Sequence, residues 1–119
     1  MKQFNTTGID FSYQDKPLRS AVDEQFCCWF VCEDVFDMLD VDKHQRALVA
    51  AANVALIVTA DINFEPPLTA PCVNEAGLCF MLYALLDDDV SYPLLENIYS
   101  QVIRPIRHRV PLIQGRMPA

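Results

Sequence analysis

Glycine is scarce in this chain, with three residues among 119, against eight prolines. So few glycines supply neither a Gly-x-Gly-x-x-Gly turn nor a phosphate-cradling P-loop. Histidine is scarcer still. His44 and His108 are alone, no His-Glu-x-x-His occurs, and neither lies beside a nucleophile in a familiar local signature. The five cysteines contain no Cys-x-x-Cys. No apolar run reaches the roughly 20 residues that a bilayer span requires. The longest, Ala47 to Ala60, is interrupted by Asn53 and is mostly alanine in its middle. The opening MKQFNTTGID lacks the apolar stretch of a secretory signal. The expectation is a soluble cytoplasmic protein that is not an enzyme, with no catalytic residue, metal or cofactor and no membrane partner.

Positive charge is absent where it is most informative. From Ala47 to Ile103 there is no Lys or Arg, while Asp61, Glu65, Glu75, Asp87, Asp88, Asp89 and Glu96 fall inside that span. Basic residues return only with Arg104, Arg107, Arg109 and Arg116, and the formal net charge is −7. Such a surface repels phosphate over most of its area and attracts basic partners.

What is present is a core. Hydrophobic residues make up 52% of a chain long enough for one domain. That apolar content in so small a chain makes self-association, as a homodimer, an expectation. Ile9, Phe11 and Tyr13 alternate with Asp10, Ser12 and Gln14, the period of a half-buried strand. Gln14 to Pro17 reads as a turn with Pro presetting φ, followed by strands near Leu18 to Val22 and Phe26 to Cys32. At Glu33 the period becomes helical: Val35, Phe36, Met38 and Leu39 face one way, and Glu33, Asp37 and Asp40 the other. A second helix is expected over Lys43 to Asn53, with Leu48, Ala51 and Ala52 as its apolar stripe. Val54 to Thr59 suits a strand, Asp61 to Pro71 a loop, and Cys72 and Val73 a short strand. Asn74 is placed to cap a helix whose stripe is Leu78, Met81, Leu82, Leu85 and Leu86. Asp87, Asp88 and Asp89 oppose a helix C-terminus, so they read as a solvated stop. Ser91 then caps a last helix, with Pro93 in its first turn and Leu94, Leu95, Ile98, Tyr99, Val102 and Ile106 buried. Pro105 kinks or ends it.

The run QFCCWFVCEDVFDMLDV (residues 25–41) poses the choice between a metal or redox site and a buried strand entering a helix. Cys28 and Cys32, on one face of a strand, would stand about 13 Å apart at roughly 3.3 Å per residue, too far for one metal. Free cysteine packs as a small hydrophobe, and that reading is preferred.

Three stretches in order carry a resemblance. CWFVCEDVFDMLDV (residues 28–41), VNEAGLCFMLYAL (residues 73–85) and SQVIRPIRHRV (residues 100–110) resemble the signature segments of the Bro-N family. That family comprises the N-terminal domains of baculovirus-repeated-ORF proteins and of phage and prophage antirepressors. The elements together read as a single α+β domain over residues 1–109, short β-hairpins packed against about four helices, with a flexible tail over residues 110–119, and the resemblance implies the same fold. Departures accompany it, among them a terminal-motif proline shifted to Pro105 and fewer basic residues than most members carry. Asp40 stands where a glycine usually follows the first helix, Asp23-Glu24-Gln25 replaces the "dG" turn before the tryptophan, and the last helix lacks its usual tryptophan. The function implied is that of an antirepressor-like module binding a basic, nucleic-acid-handling protein, either a repressor or a host defence complex. The expected contacts are Glu33, Asp37 and Asp40 with Asp87, Asp88 and Asp89. The alternative is direct DNA binding through Arg104, Arg107, His108 and Arg109; a metal-dependent enzyme is the remaining alternative.

Overall fold

A strand needs ladder partners more than it needs apolar residues, and the N-terminal segment illustrates the point. A computed structural model describes residues 2–52 and 54–113. β1 (Lys2–Thr6) has one buried side chain, Phe4, yet it is hydrogen-bonded on both sides. It runs antiparallel to β4 (Ser20–Val22) and parallel to β6 (Ile57–Ile62). With β5 (Cys28–Val31) and β7 (Leu68–Asn74) these strands close into a barrel of order β1-β4-β5-β7-β6. A separate hairpin joins β2 (Ser12–Tyr13) to β3 (Lys16–Pro17).

Five strands enclose a narrow space, and the residues filling it are correspondingly small. Ala21, Ala60, Ala70 and Cys72 pack there with Val31, Ile62 and Phe4, whose ring stacks on Trp29 at 5.2 Å. The seam between β1 and the distant β6 is fastened outside by polar side chains. Gln3 donates to Asp61 and Asn63 accepts from the Thr6 N–H at 2.7 Å, while on the other flank of β6 Thr69 of β7 also donates to Asp61.

The opposite faces of β4, β5 and β7 support the helices. α1 (Cys32–Met38) follows β5 directly, and α2 (Lys43–Ala52) and α3 (Glu75–Leu85) follow in turn. α4 (Asp88–Ile98) passes through a π-helical segment, Tyr99–Ile103, into α5 (Arg104–Ile113), so these form one continuous rod. Phe30, Val35, Phe36, Leu78, Met81, Leu82, Ile98, Val102 and Ile106 fill the layer between barrel and helices. Burying each such side chain contributes about 1.5–3 kcal/mol before chain entropy is counted. No helix among the described residues is long and apolar enough to cross a membrane.

Three local devices set the helix positions. Asn74 caps α3, its Oδ1 accepting from the Gly77 N–H at 2.8 Å, as the sequence predicts. Gly77 allows α3 to lie against the barrel, since a Cβ there would meet Val73 Cβ at 3.0 Å. α1 ends in a Schellman arrangement: the Val41 N–H donates to the Phe36 carbonyl and the Asp40 N–H to Asp37, with Asp40 at φ 55°. Asp40 therefore occupies a left-handed position that glycine favours and aspartate tolerates. Phe26 (φ 60°) holds the same conformation in the β4–β5 turn, where it is strained. That turn is organised by Asp23, which accepts from the Gln25 and Cys27 N–H groups and from Trp29 Nε1.

Several expectations are corrected. The strand read over Ile9–Tyr13 keeps its burial alternation but pairs only at Ser12–Tyr13, and its turn is Gln14-Asp15, both at positive φ, with Pro17 in β3. The loop expected over Asp61–Pro71 shrinks to residues 63–67, because β6 and β7 continue through it. Pro71 is tolerated in β7 because β5 pairing stops at Cys72, leaving no ladder bond to lose on that flank. On α2 the stripe Leu48, Ala51 and Ala52 faces solvent, while Arg46, Val49 and Ala50 turn inward. Asp87 is the N-cap of α4 and Asp88 and Asp89 open it, where acids favour the helix dipole. Ser91 is buried within α4 instead of capping it, and Pro93 lies past the first turn. The π segment adds a residue to its turn, rotating Tyr99 outward and Ile103 inward. α5 continues past Pro105 through Val110–Ile113, into the stretch read as tail; residues 114–119 lie outside the described set.

One ion pair ties the layers together. Arg19 donates its main-chain N–H and Nε to Asp34 Oδ2, at 2.9 and 2.8 Å, and Nη2 to Oδ1 at 2.9 Å. Asp34 is buried in the first turn of α1, and Arg19 lies between β3 and β4. R19M should cost about 2–3 kcal/mol, because it leaves a buried carboxylate without its cation. R19M with D34L should cost less than the sum of the single changes in urea unfolding; simple additivity would show that the pair is not an energetic unit.

Candidate functional site

The side chains that could meet a partner are those that folding leaves exposed and unneutralised. The acidic stripe on α1 is not among them. Arg46 of α2 donates Nη1 to Glu33 at 2.8 Å and Nη2 to Asp37 at 3.0 Å, and its guanidinium lies 5.6 Å from the Phe36 ring centroid. Arg46 Nε also donates to the Val41 carbonyl at 2.8 Å. The charge of Glu33 and Asp37 therefore fastens α2, a helix without a fully buried residue, to α1. Asp40 is exposed beside them and shares a shallow hollow with Asp37 and Arg46.

The basic cluster is similarly occupied. Arg107 donates Nη2 to Glu75 at 2.6 Å and Nη1 to the Tyr99 hydroxyl at 3.2 Å. Arg104 and Arg107 each lie 5.4 Å from the Tyr99 ring centroid. His108 is exposed, and the side chain of Arg109 lies outside the described set. The guanidinium of Arg107 has its pKa raised, first by the charge of Glu75, so it stays fully cationic.

Asp87, Asp88 and Asp89 differ. They are exposed at the start of α4, and among the described residues they make no ion pair. No described hydrogen bond or ion pair links them to Glu33, Asp37 or Asp40. Beside them are residues that sequence reasoning missed. Phe80 (61% exposed) and Tyr83 (43%) project from α3, and Tyr92 (62%) from α4. Tyr83 and Tyr92 meet edge to face, with ring centroids 6.2 Å apart and an interplanar angle of 70°. The signal was available, since Phe80 and Tyr83 fall off the Leu78–Leu82 stripe of their helix. Aromatic side chains are enriched at protein-binding surfaces, and exposed carboxylates favour the approach of a cationic group.

A second concavity, of about 640 Å³, lies between the Asp23 turn and the start of α3. Phe26, Cys27, Trp29, Asn74, Glu75 and Arg107 line it. The Asp23 carboxylate there is already engaged by three donors.

The cysteines resolve toward packing. Cys28, Cys32 and Cys72 are buried; Cys27 is exposed and Cys79 half-buried. Burial pushes the thiols of Cys28 and Cys32 up to about 12 and that of Cys72 to about 11, away from thiolate chemistry. Among the described residues no three His, Cys, Asp or Glu side chains converge as a metal-ligand set.

No protein-family model, curated protein or solved structure matches this chain.

A thiol reagent at pH 8 should modify Cys27 first and Cys79 more slowly. Cys28, Cys32 and Cys72 should react only as denaturant unfolds the chain; rapid native-state modification of any of these three would contradict the packing role.

Proposed function

We propose that this chain is a non-enzymatic, Bro-N-like module of the cytoplasm that docks a basic, nucleic-acid-handling protein and antagonises it as an antirepressor does. The observation that carries this reading is the exposed surface of α3 and α4, where Tyr83 and Tyr92 meet edge to face, Phe80 is exposed one turn earlier on α3, and the unpaired Asp87, Asp88 and Asp89 open α4. Aromatic side chains supply contact area at low entropic cost, and the acids steer a cationic partner toward them. α3 and α4 themselves carry no Lys or Arg, and Arg104, further along the rod, lines a hollow with Tyr92.

The Bro-N part of the proposal is supported by what the three signature segments do physically. The first spans the passage from β5 into α1 and contains Asp34, the carboxylate that Arg19 grips. The second contains the Asn74 cap and Gly77, whose missing Cβ lets α3 approach the barrel. The third spans the π segment and Pro105. Asp40, standing where the signature carries glycine, holds a glycine-like backbone.

Direct DNA binding through Arg104, Arg107, His108 and Arg109 is disfavoured, because Arg107 is neutralised by Glu75. Phosphate contacts would also form against the repulsion of a chain with net charge −7.

The test compares the native chain with D87N/D88N/D89N, which removes charge while retaining residues that suit a helix start, and with R104Q/R107Q. A basic nucleic-acid-binding protein should be captured from a bacterial lysate by the native chain and by R104Q/R107Q, and lost with the asparagine variant. Duplex DNA should show no mobility shift at low salt. Capture unaffected by the asparagines, or a salt-sensitive DNA shift abolished by R104Q/R107Q, would reverse the assignment.

A further inference from the structure

The molecule shows repeatedly how it binds a guanidinium. Each of the four arginines whose side chains are described lies over an aromatic ring: Arg19 over Phe64, Arg46 over Phe36, and Arg104 and Arg107 over Tyr99, at 5.4 to 5.6 Å. Three of them are held by carboxylates at the same time, Arg19 by Asp34, Arg46 by Glu33 and Asp37, and Arg107 by Glu75. Ring and acid together satisfy a planar cation that is weakly hydrated above its faces and donates hydrogen bonds at its edge.

The junction of α3 and α4 presents the same two components without an arginine. Tyr83 and Tyr92 are in edge-to-face contact and both are exposed. Asp88 and Tyr92 are four residues apart on α4, so they share a helix face. The Tyr83 phenol has its pKa raised, first by loss of solvent and then by Tyr92, Cys79 and Asp88. Among the described residues no arginine stacks on either ring and none pairs with Asp88.

We propose that Tyr83, Tyr92 and Asp88 form a receptor for an arginine guanidinium presented by the basic partner, an inference that rests on the protein-binding reading above. The site discriminates among cations. A lysine ammonium carries the same charge but is compact and strongly hydrated, and it gains less from an exposed ring. A partner that docks through arginine is thus distinguished from one that is merely basic.

Calorimetric titration of the full chain with hexa-arginine and with hexa-lysine, at matched ionic strength, tests the site. Hexa-arginine should bind about threefold more tightly. The combined Y83A/Y92A variant, altered only at exposed positions and checked for fold by circular dichroism, should bring the two peptides to parity. D88N should weaken both. Parity in the native chain would overturn the guanidinium site while leaving an anionic docking face intact, and a preference surviving in Y83A/Y92A would overturn it by placing the selectivity elsewhere. Binding of neither peptide would overturn the site and the docking reading together.

Discussion

Cations are the limiting resource of this fold. The chain has nine Lys and Arg against sixteen Asp and Glu, and the structure uses its arginines as internal fasteners. Arg19 joins the barrel to α1 through Asp34, Arg46 joins α2 to α1, and Arg107 joins α5 to the start of α3. A fastener matters most where an element buries little apolar surface of its own. α2 is the clearest case: it buries no residue completely, and its Leu48 is 58% exposed. With the arginines engaged, the acids left over define the exterior, and Asp87, Asp88 and Asp89 stand beside exposed aromatic rings.

The barrel makes this arrangement rigid. Closing five strands leaves no free sheet edge, and the small residues Ala21, Ala60 and Ala70 allow the walls to approach. One side of the wall then becomes a platform for helices whose positions are set by the Asn74 cap, the Gly77 contact and the Schellman turn at Asp40. The long rod of α4 and α5 bends its register through the π segment, so that Ile98, Val102, Ile103 and Ile106 stay buried while Tyr99 emerges between Arg104 and Arg107.

How much of this was legible in the sequence depended on how local the determining interaction was. The α1 and α3 helices could be read from their apolar spacing, and Asn74 from capping chemistry, because each signal spans a few residues. β1 could not: one apolar residue in five gives no period, and its partner β6 lies more than fifty residues away. The buried face of α2 was misread because alanine suits either environment, and the deciding contact is between Arg46 and two acids on another helix. Tyr99 was misassigned because a π turn shifts the register by one residue. Asp87, Asp88 and Asp89 were recognised as incompatible with a helix end, but the helix they begin was placed a few residues too late. For the proposed docking face, charge points to acids and overlooks rings. Phe80, Tyr83 and Tyr92 become conspicuous only once α3 and α4 are seen side by side.

α3 and α4 are proposed to present the docking face, and the assignment of the partner follows from that claim. Amide hydrogen exchange of the chain with its captured partner, compared with the chain alone, addresses that claim most directly. New protection should concentrate from Phe80 through Tyr92, leaving the exchange of Arg104 to His108 unchanged. Protection confined to Arg104 to His108, or to the Glu33 to Asp40 stretch of α1, would contradict it.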